Sequence, residues 1–224
     1  MGAGGRLTES PSRLSTLVRV NAHGPARGGL DLSRPAAEVA PDLLGAVLRH
    51  GEVAVRLTEV EAYDGAGDPA SHAARGPTPR NAVMFGPPGH LYVYFSYGVH
   101  WAANVVCRPA GAGAGVLLRA GEVVDGLSVA RERRGRSSIR DLARGPGRLC
   151  QALGIDARLR GAYLFGDGSV TLTPPLEPPP AVETGPRVGV SAEADRPWRF
   201  WISGDPFVSS YRRSPRAQPS RGSR

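Results

Sequence analysis

The sequence predicts an α+β fold, a single domain built around a largely antiparallel sheet. Three observations support this prediction: strand-type and helix-type segments follow one another in mixed order, no βαβ unit repeats, and no internal repeat or compositional break divides the 224 residues. We expect the folded domain to span residues 31–210. A flexible basic arm, residues 1–30, and a flexible tail rich in Arg, Ser and Pro, residues 211–224, are expected to flank it.

The first elements lead into one long strand. Apolar residues at helical spacing predict two short helical pieces within residues 35–50, separated at Pro41. Residues 52–63 alternate as a strand does. Strict alternation places the following residues on one side of that strand: Val53, Val55, Leu57, Glu59, Glu61 and Tyr63. An apolar face therefore becomes carboxylic halfway along the strand.

The remaining elements follow a polar loop, residues 64–90. Residues 91–106 are aromatic and β-branched with a break at Tyr97-Gly98, which predicts two strands joined by a turn with an aromatic tip. The other predictions are a strand at 116–120, a helix at 123–134, a proline-initiated helix at 145–153, a proline-rich connector at 174–186, and one or two strands within 187–202.

The positive charge lies mainly in the two tails. The net charge is +8, and all 28 basic residues are arginine, because the sequence contains no lysine. Residues 1–34 and 212–224 hold five arginines each, and basic tails of this kind are suited to loose contact with a phosphate backbone. A central cluster is either a solvated helix face or a nucleic-acid footprint. It consists of Arg131, Arg133, Arg134, Arg136, Arg140, Arg144 and Arg148.

Several classes of protein are disfavoured by what the sequence lacks. No stretch approaches the roughly 18 apolar residues of a membrane helix, and the N-terminal residues do not have the pattern of a signal peptide. Cys107 and Cys150 are far apart without a ligand pattern, which argues against a disulfide framework or a cysteine metal site. We expect a cytoplasmic protein with no membrane association.

Glu61 is the strongest candidate for a catalytic group. A carboxylate that continues the inward face of a strand is partly desolvated, and desolvation makes it a stronger base. A structural, salt-bridged glutamate is the alternative. Arg119 continues an apolar face after Leu117, and is therefore placed to pair with Glu61 or orient it.

A metal site is a second interpretation of the same segment. Hard oxygen ligands and one imidazole occur close together there, as a divalent cation requires. These residues are Glu59, Glu61, Asp64, Asp68 and His72. The spacing is looser than that of dedicated metal sites, so we favour no metal.

Three tyrosines, Tyr92, Tyr94 and Tyr97, offer flat surfaces on the predicted hairpin. Aromatic packing within the core is the ordinary explanation for such residues. Tyr97 differs because an aromatic side chain at a hairpin tip is hard to bury and has a suitable shape to wedge between base pairs.

Ordered motifs across about residues 30–210 resemble the alkyladenine (3-methyladenine) DNA glycosylase family, in a bacterial form. They are Glu59-Val-Glu-Ala-Tyr63, Ala70-Ser-His72, Thr78-Pro-Arg-Asn81, Leu91-Tyr-Val-Tyr94, Tyr97-Gly98, Asn104, Leu117-Leu-Arg-Ala120, Gly145-Pro146, Arg187-Val-Gly189 and Pro206-Phe-Val-Ser209. The resemblance implies a single domain with a curved, mostly antiparallel sheet and peripheral helices. It also implies a monofunctional glycosylase that flips alkylated or deaminated purines, hypoxanthine among them, out of DNA and hydrolyses their N-glycosidic bonds in base excision repair.

The resemblance also assigns roles to individual residues. Glu61 is the implied general base, and Arg119 holds the water beside it. The implied base pocket consists of Tyr63, His72, Tyr94 and Asn104. Tyr97 fills the gap in the base stack, and Arg80 and Arg148 contact phosphates.

The implied partner is double-stranded DNA containing damaged purines. The implied protein is a nucleoid-associated monomer that needs no cofactor. Without a lysine to form a Schiff base, no lyase activity is expected. Two other functions stay open: a non-catalytic nucleic-acid-binding module and a metal-dependent nuclease.

Overall fold

A nine-stranded antiparallel sheet forms the centre of the computed structural model, which describes residues 30–218 and the strand Thr16–Val18. The strands are β1 Thr16–Val18, β2 Val47–His50, β3 Val53–Asp64, β4 Leu91–Ser96, β5 His100–Cys107, β6 Ala114–Asp125, β7 Val170–Thr173, β8 Val182–Gly185 and β9 Arg199–Ile202. Their order is β1-β8-β9-β3-β6-β5-β4, with β2 between β3 and β7. The sheet curls into a half-barrel, which confirms the predicted single α+β domain.

In the described residues, three short helices lie against the sheet: α1 Ala36–Val39, α2 Leu127–Arg134 and α3 Pro146–Leu153. Helix α3 begins at a proline, whose missing N–H costs nothing in a first turn, and Gly154, with a φ of 72°, caps its C-terminal end. Residues 30–218 also contain five 3-10 turns: Ala40–Leu43, Gly65–Gly67, Ala82–Phe85, Ile139–Asp141 and Ala157–Leu159. None of the helices within this described part of the chain is long and apolar enough to cross a membrane.

The two faces of the sheet have different functions. On one face, alternate residues of the central strands pack with the helices in the main core, for example Val60 and Ala62 of β3 and Val116 and Leu118 of β6. The residues between them point to the opposite face, where Glu61 and the other polar side chains of the site lie. The alternation of the strands thus separates the core from the site.

Strand β3 departs from the strict alternation that the sequence predicts. Val53, Val55 and Leu57 lie in the core, but Val60 and Ala62 lie in it too. The reason is an irregularity: the register with β6 shifts on both sides of Glu59. Such a bulge reverses the side to which the following residues point. The prediction that Glu61 shares a face with Val53 was therefore wrong.

Other observed elements differ from the predicted ones because short segments pair as strands. Only residues 36–43 of the predicted helical region are helical, because Val47–His50 pairs with both β3 and β7 as β2. The predicted helix at 123–134 starts late, since β6 continues to Asp125 and α2 begins at Leu127. The predicted connector at 174–186 contains β8, and the predicted closing segment contains one strand, β9. Strand β7 was not predicted at all.

The predicted tails are only partly described. Within residues 1–30, the strand Thr16–Val18 pairs with β8, and residues 1–15 and 19–29 lie outside the described part. Within residues 211–224, the structure describes 211–218, where Gly189 donates a backbone hydrogen bond to the carbonyl of Arg212 at 3.0 Å. Residues 219–224 lie outside it, and the predicted domain limits stay a prediction.

Candidate functional site

A cavity of about 670 Å³ opens on the face of the sheet opposite the main core. Strands β3 to β6 form its floor, and two loops, residues 65–89 and residues 187–192, form its sides. Most of the predicted site residues line it. They are Glu61, Tyr63, His72, Arg80, Tyr94, Tyr97, Asn104 and Arg119. Arg148 does not line it.

Glu61 is fully buried and forms part of the cavity wall. The backbone N–H of Val188 donates to its Oε1 at 2.7 Å. The hydroxyl of Tyr63 donates to its Oε2 at 2.8 Å, and Arg119 Nη1 lies 3.4 Å from Oε1. These donors fix the carboxylate at the cavity, which is the arrangement that a general base needs.

Tyr63 acts as a hydrogen-bond donor beside this carboxylate. Burial raises the pKa of its hydroxyl well above the ordinary value, and the negative charge of Glu61 raises that pKa further. The phenol therefore keeps its proton at neutral pH. Its ring also lies 4.7 Å from the guanidinium carbon of Arg187, a cation–π contact that holds the ring from behind.

Glu59 lies behind Glu61 and has a different environment. It accepts from Arg119 Nε at 3.1 Å, from Arg199 Nε at 2.6 Å and from the Ser209 N–H at 2.7 Å. Burial alone would raise the pKa of Glu59, but the charges of Arg119 and Arg199 outweigh it and the pKa is lowered. Glu59 is thus an anion at neutral pH and anchors Arg119, whereas Glu61 faces the cavity.

Three aromatic side chains, which we call the aromatic wall, line the same cavity: His72, Tyr92 and Tyr94. The imidazole of His72 contacts the ring of Tyr94 edge to face, with centroids 4.5 Å apart, and Tyr94 stacks on Tyr92 at 5.4 Å. Burial, with a smaller effect from Arg80, lowers the pKa of His72, so the imidazole is neutral at pH 7. Burial raises the pKa of Tyr94 to about 12. The wall is therefore uncharged at neutral pH.

Asn104 occupies the floor of the cavity on β5. It is 4% exposed, and its Nδ2 donates to the carbonyl of Tyr92 at 3.3 Å. This hydrogen bond fixes the orientation of the amide. The small polar side chain thus stands at the base of the cavity with its position set by the neighbouring strand.

The β4–β5 hairpin presents Tyr97 at its tip. Tyr97 and Gly98 both have positive φ angles, 48° and 68°, as the turns favoured in tight hairpins require. The Tyr97 side chain is 89% exposed and borders the cavity mouth. Arg80 reaches the same hairpin, where it donates to the carbonyl of Phe95 at 2.8 Å.

Arg148 lies on α3, beside the mouth but outside its lining. Its Nη1 is 3.1 Å from Asp141, and about half of its side chain is exposed. The first turn of α3 approaches the site closely, because a Cβ atom on Gly147 would lie 2.6 Å from the ring of His100, a residue that does line the cavity. Glycine permits this approach.

The central arginine cluster is largely engaged within the protein. Four of its guanidinium groups donate to backbone carbonyls: Arg133 to Ala152, Arg134 to Leu142, Arg140 to Pro206 and Arg144 to Val208. These hydrogen bonds join α2 to α3, and they join the segment between these two helices to the segment after β9. The cluster is therefore more than a solvated helix face, and part of its charge has a structural use.

The carboxylates of the predicted metal cluster do not converge on one point. Glu59 is bound by two arginines, Asp68 by Arg187 and Asp64 by Arg108. Over residues 30–218, no group of three or more His, Cys, Asp or Glu side chains is arranged to hold a metal ion. Each of these acids instead has a cationic partner.

Sequence reasoning missed the group that supports Glu61 from the loop at residues 187–192. Arg187 is 1% exposed and binds Asp68 through two hydrogen bonds, at 2.5 and 2.8 Å. The next residue, Val188, donates its N–H to Glu61. Arg199 and Ser209, the partners of Glu59, were also missed. The signals in the sequence were the motifs Arg187-Val-Gly189 and Pro206-Phe-Val-Ser209.

Comparison with known proteins gives the same family from a family model and from individual relatives. Residues 31–206 match the family model for methylpurine-DNA glycosylase. A putative 3-methyladenine DNA glycosylase of Frankia casuarinae is 53% identical over 201 residues, which cover 84% of this chain and 95% of that protein. A protein of the same description from Nocardia farcinica is 58% identical over 183 residues, 78% of this chain and 86% of that protein.

Proposed function

The chain belongs to the methylpurine-DNA glycosylase family, and on that premise we propose that it flips alkylated or deaminated purines out of duplex DNA and excises them by hydrolysis. It is a DNA glycosylase of the 3-methyladenine type that acts in base excision repair. One observation carries the proposed chemistry: a fully buried carboxylate, Glu61, stands in the wall of an aromatic cavity with three donors around it.

Glu61 is the proposed general base. Hydrolysis of an N-glycosidic bond passes through an oxocarbenium-like state at the sugar C1′ carbon. Water attacks that carbon while Glu61 takes a proton from the water. The electron pair of the breaking C–N bond leaves with the purine. Arg119, held by Glu59 and 3.4 Å from Glu61, orients the carboxylate and the water beside it.

Tyr63 and two members of the aromatic wall form the proposed base-recognition surface. Tyr63, His72 and Tyr94 hold the extruded purine between flat faces, and stacking of this kind tolerates several lesions. Asn104 at the floor crowds the exocyclic amino group of normal guanine, which disfavours entry of that base. Alkylated purines and hypoxanthine are the proposed substrates.

The hairpin and two arginines are the proposed DNA contacts. Tyr97 is exposed at the cavity mouth, which suits insertion into the gap that the flipped nucleotide leaves. Arg80 and Arg148 are proposed to contact phosphates on either side. The enzyme would act as a monomer on one nucleotide at a time, with the nucleoid in the cytoplasm as its place of action.

Release of free base is the direct test of this proposal. We expect the purified protein to release methylated purines and hypoxanthine from duplex DNA, at the same rate with and without EDTA. Chromatography identifies the released bases and measures the rate of release in both conditions. A non-catalytic binding module would retain the duplex without releasing base, and a metal-dependent nuclease would lose its activity in EDTA, so either result would replace the proposed function.

Excision is expected to leave the DNA backbone intact. Strand-nicking glycosylases form a Schiff base, for which lysine is the usual amine donor, and this chain contains no lysine. Denaturing electrophoresis of the reaction, without heat or alkali, should show an uncut strand that breaks only after alkali treatment. Prompt nicking that co-purifies with base release, and is lost in the Glu61→Gln variant, would contradict the prediction.

A further inference from the structure

The segment after β9 passes behind the site before it reaches the cavity rim. We define residues 209–218 as the C-terminal strap and residues 187–192 as the pocket loop. The strap begins beyond the residues that match the family model, which end at 206. Its contacts nevertheless converge on the groups that surround Glu61.

The first part of the strap contacts the buried charges behind the site. The N–H of Ser209 donates to Glu59 at 2.7 Å, and Arg199 Nη2 donates to the Ser209 carbonyl at 3.4 Å. The ring of Tyr211 lies 5.6 Å from the guanidinium carbon of Arg199. Because Arg199 also binds Glu59 at 2.6 Å, this part of the strap covers the ion group that anchors Arg119.

The second part of the strap holds the pocket loop. Gly189 donates to the carbonyl of Arg212 at 3.0 Å, and Gln218 donates to the carbonyl of Ser191 at 2.8 Å. Between them, Arg213 pairs with Asp195 at 2.5 Å. Both Gly189 and Ser191 line the cavity, so the strap fixes the loop from its outer side.

These contacts explain how the donor to Glu61 is held in place. The pocket loop contains no helix or strand, and Val188 is the residue whose N–H reaches Glu61. The residue before it, Arg187, is bound by Asp68 inside the protein. The residue after it, Gly189, is bound by the strap. Val188 is therefore fixed from both sides, and one of the two sides is the strap.

We propose that the C-terminal strap is a positioning element for catalysis, which holds the Val188 N–H and the Glu59–Arg199 pair so that Glu61 keeps its reactive orientation. This inference rests on the proposed function of Glu61 as the general base. A displacement of about 1 Å at a reacting group is enough to cost a large part of the rate, so a loop without secondary structure needs such support. The strap supplies it from outside the cavity, since no residue of 209–218 lines the cavity.

The test uses two full-length double variants that keep every arginine. Tyr211→Ala/Gln218→Pro removes the ring over Arg199 and the N–H that binds Ser191. Tyr211→Phe/Gln218→Ala keeps both and is the matched control. Under single-turnover conditions with saturating enzyme, we expect base release from a methylated duplex to fall about tenfold in the first variant and to stay at the wild-type rate in the control.

Two further measurements separate positioning from loss of stability. Hydrogen exchange of the Val188 and Gly189 amides should become faster in the first variant only, and affinity for the methylated duplex should not change. A destabilised protein would instead show a smaller active fraction with an unchanged rate constant, and that result overturns the proposal. Faster exchange without a slower rate overturns it as well.

The exchange measurement does not depend on turnover. If the wild-type protein released no base, the proposed function would fail, while faster exchange in the first variant would still establish that the strap holds the loop. If the double variant does not fold, Gln218→Pro alone is compared with Gln218→Ala by the same measurements, and equal rates in that pair also overturn the proposal.

Discussion

Substitution of Glu61 by Gln is expected to lower the rate of base release by a factor of about 10² to 10⁴, the range that a general base contributes. The amide has nearly the same shape as the carboxylate. Its oxygen can accept from the Val188 N–H and Arg119, and its NH₂ group can donate to the Tyr63 hydroxyl, which accepts as readily as it donates. The fold and the cavity should therefore persist, and only proton transfer is lost.

Single-turnover release from a methylated duplex measures this effect, and a binding assay with the same duplex should give an affinity close to that of the wild type. Glu52→Gln is the matched control, because it removes the same charge at an exposed position just before β3. We expect full activity in that variant. If Glu61→Gln also retained its rate, the role of general base would belong to another residue.

The elements that the sequence predicted well are those set by local interactions. The β4–β5 hairpin follows from two aromatic, β-branched runs on either side of Tyr97-Gly98, and helix α3 follows from a proline at its start. Both depend on residues within one short segment. The α+β class followed from the same evidence, since the order of the elements excludes repeated βαβ units.

The features that the sequence missed depend on pairing between distant segments. The bulge in β3 arises in its register with β6, so no alternation count within residues 52–63 detects it. Strands β2, β7 and β8 have four residues each, and each is a strand because a partner edge was available. Tertiary context decided these three elements.

The residues of the site show the same difference between local and distant interactions. Glu61 stood out because a carboxylate followed an apolar run, and it lines the cavity because the bulge turns it away from the core face on which Val53 lies. The buried partners Arg187 and Asp68 are 119 positions apart in the chain. Nothing local marks an arginine whose partner lies so far away, and its presence beside Val188 became visible only from the contacts.

Substitution of Asp68 by Asn is expected to destabilise the protein by about 3–5 kcal/mol, the usual cost of breaking a buried ion pair from one side. Both side chains of the Asp68–Arg187 pair are 0% exposed. Once residue 68 carries no charge, the guanidinium of Arg187 stays buried without a countercharge from that residue. Its hydrogen bond to the Ala62 carbonyl at 3.0 Å does not supply a countercharge. Since domains of this size are stable by only about 5–15 kcal/mol, much of the stability would be lost.

Urea unfolding measures the change, and two variants test its cause. The double variant Asp68→Asn/Arg187→Met removes the stranded charge and should recover a large part of the stability, because an apolar side chain tolerates the site better than an unpaired cation does. Asp156→Asn, which breaks the exposed pair with Arg158, should change stability little.

Equal losses in the single and double Asp68 variants would contradict this explanation. They would mean that the stability depends on the backbone hydrogen bonds to Asp68, from Asp64 and Ala70, and not on the charge pair.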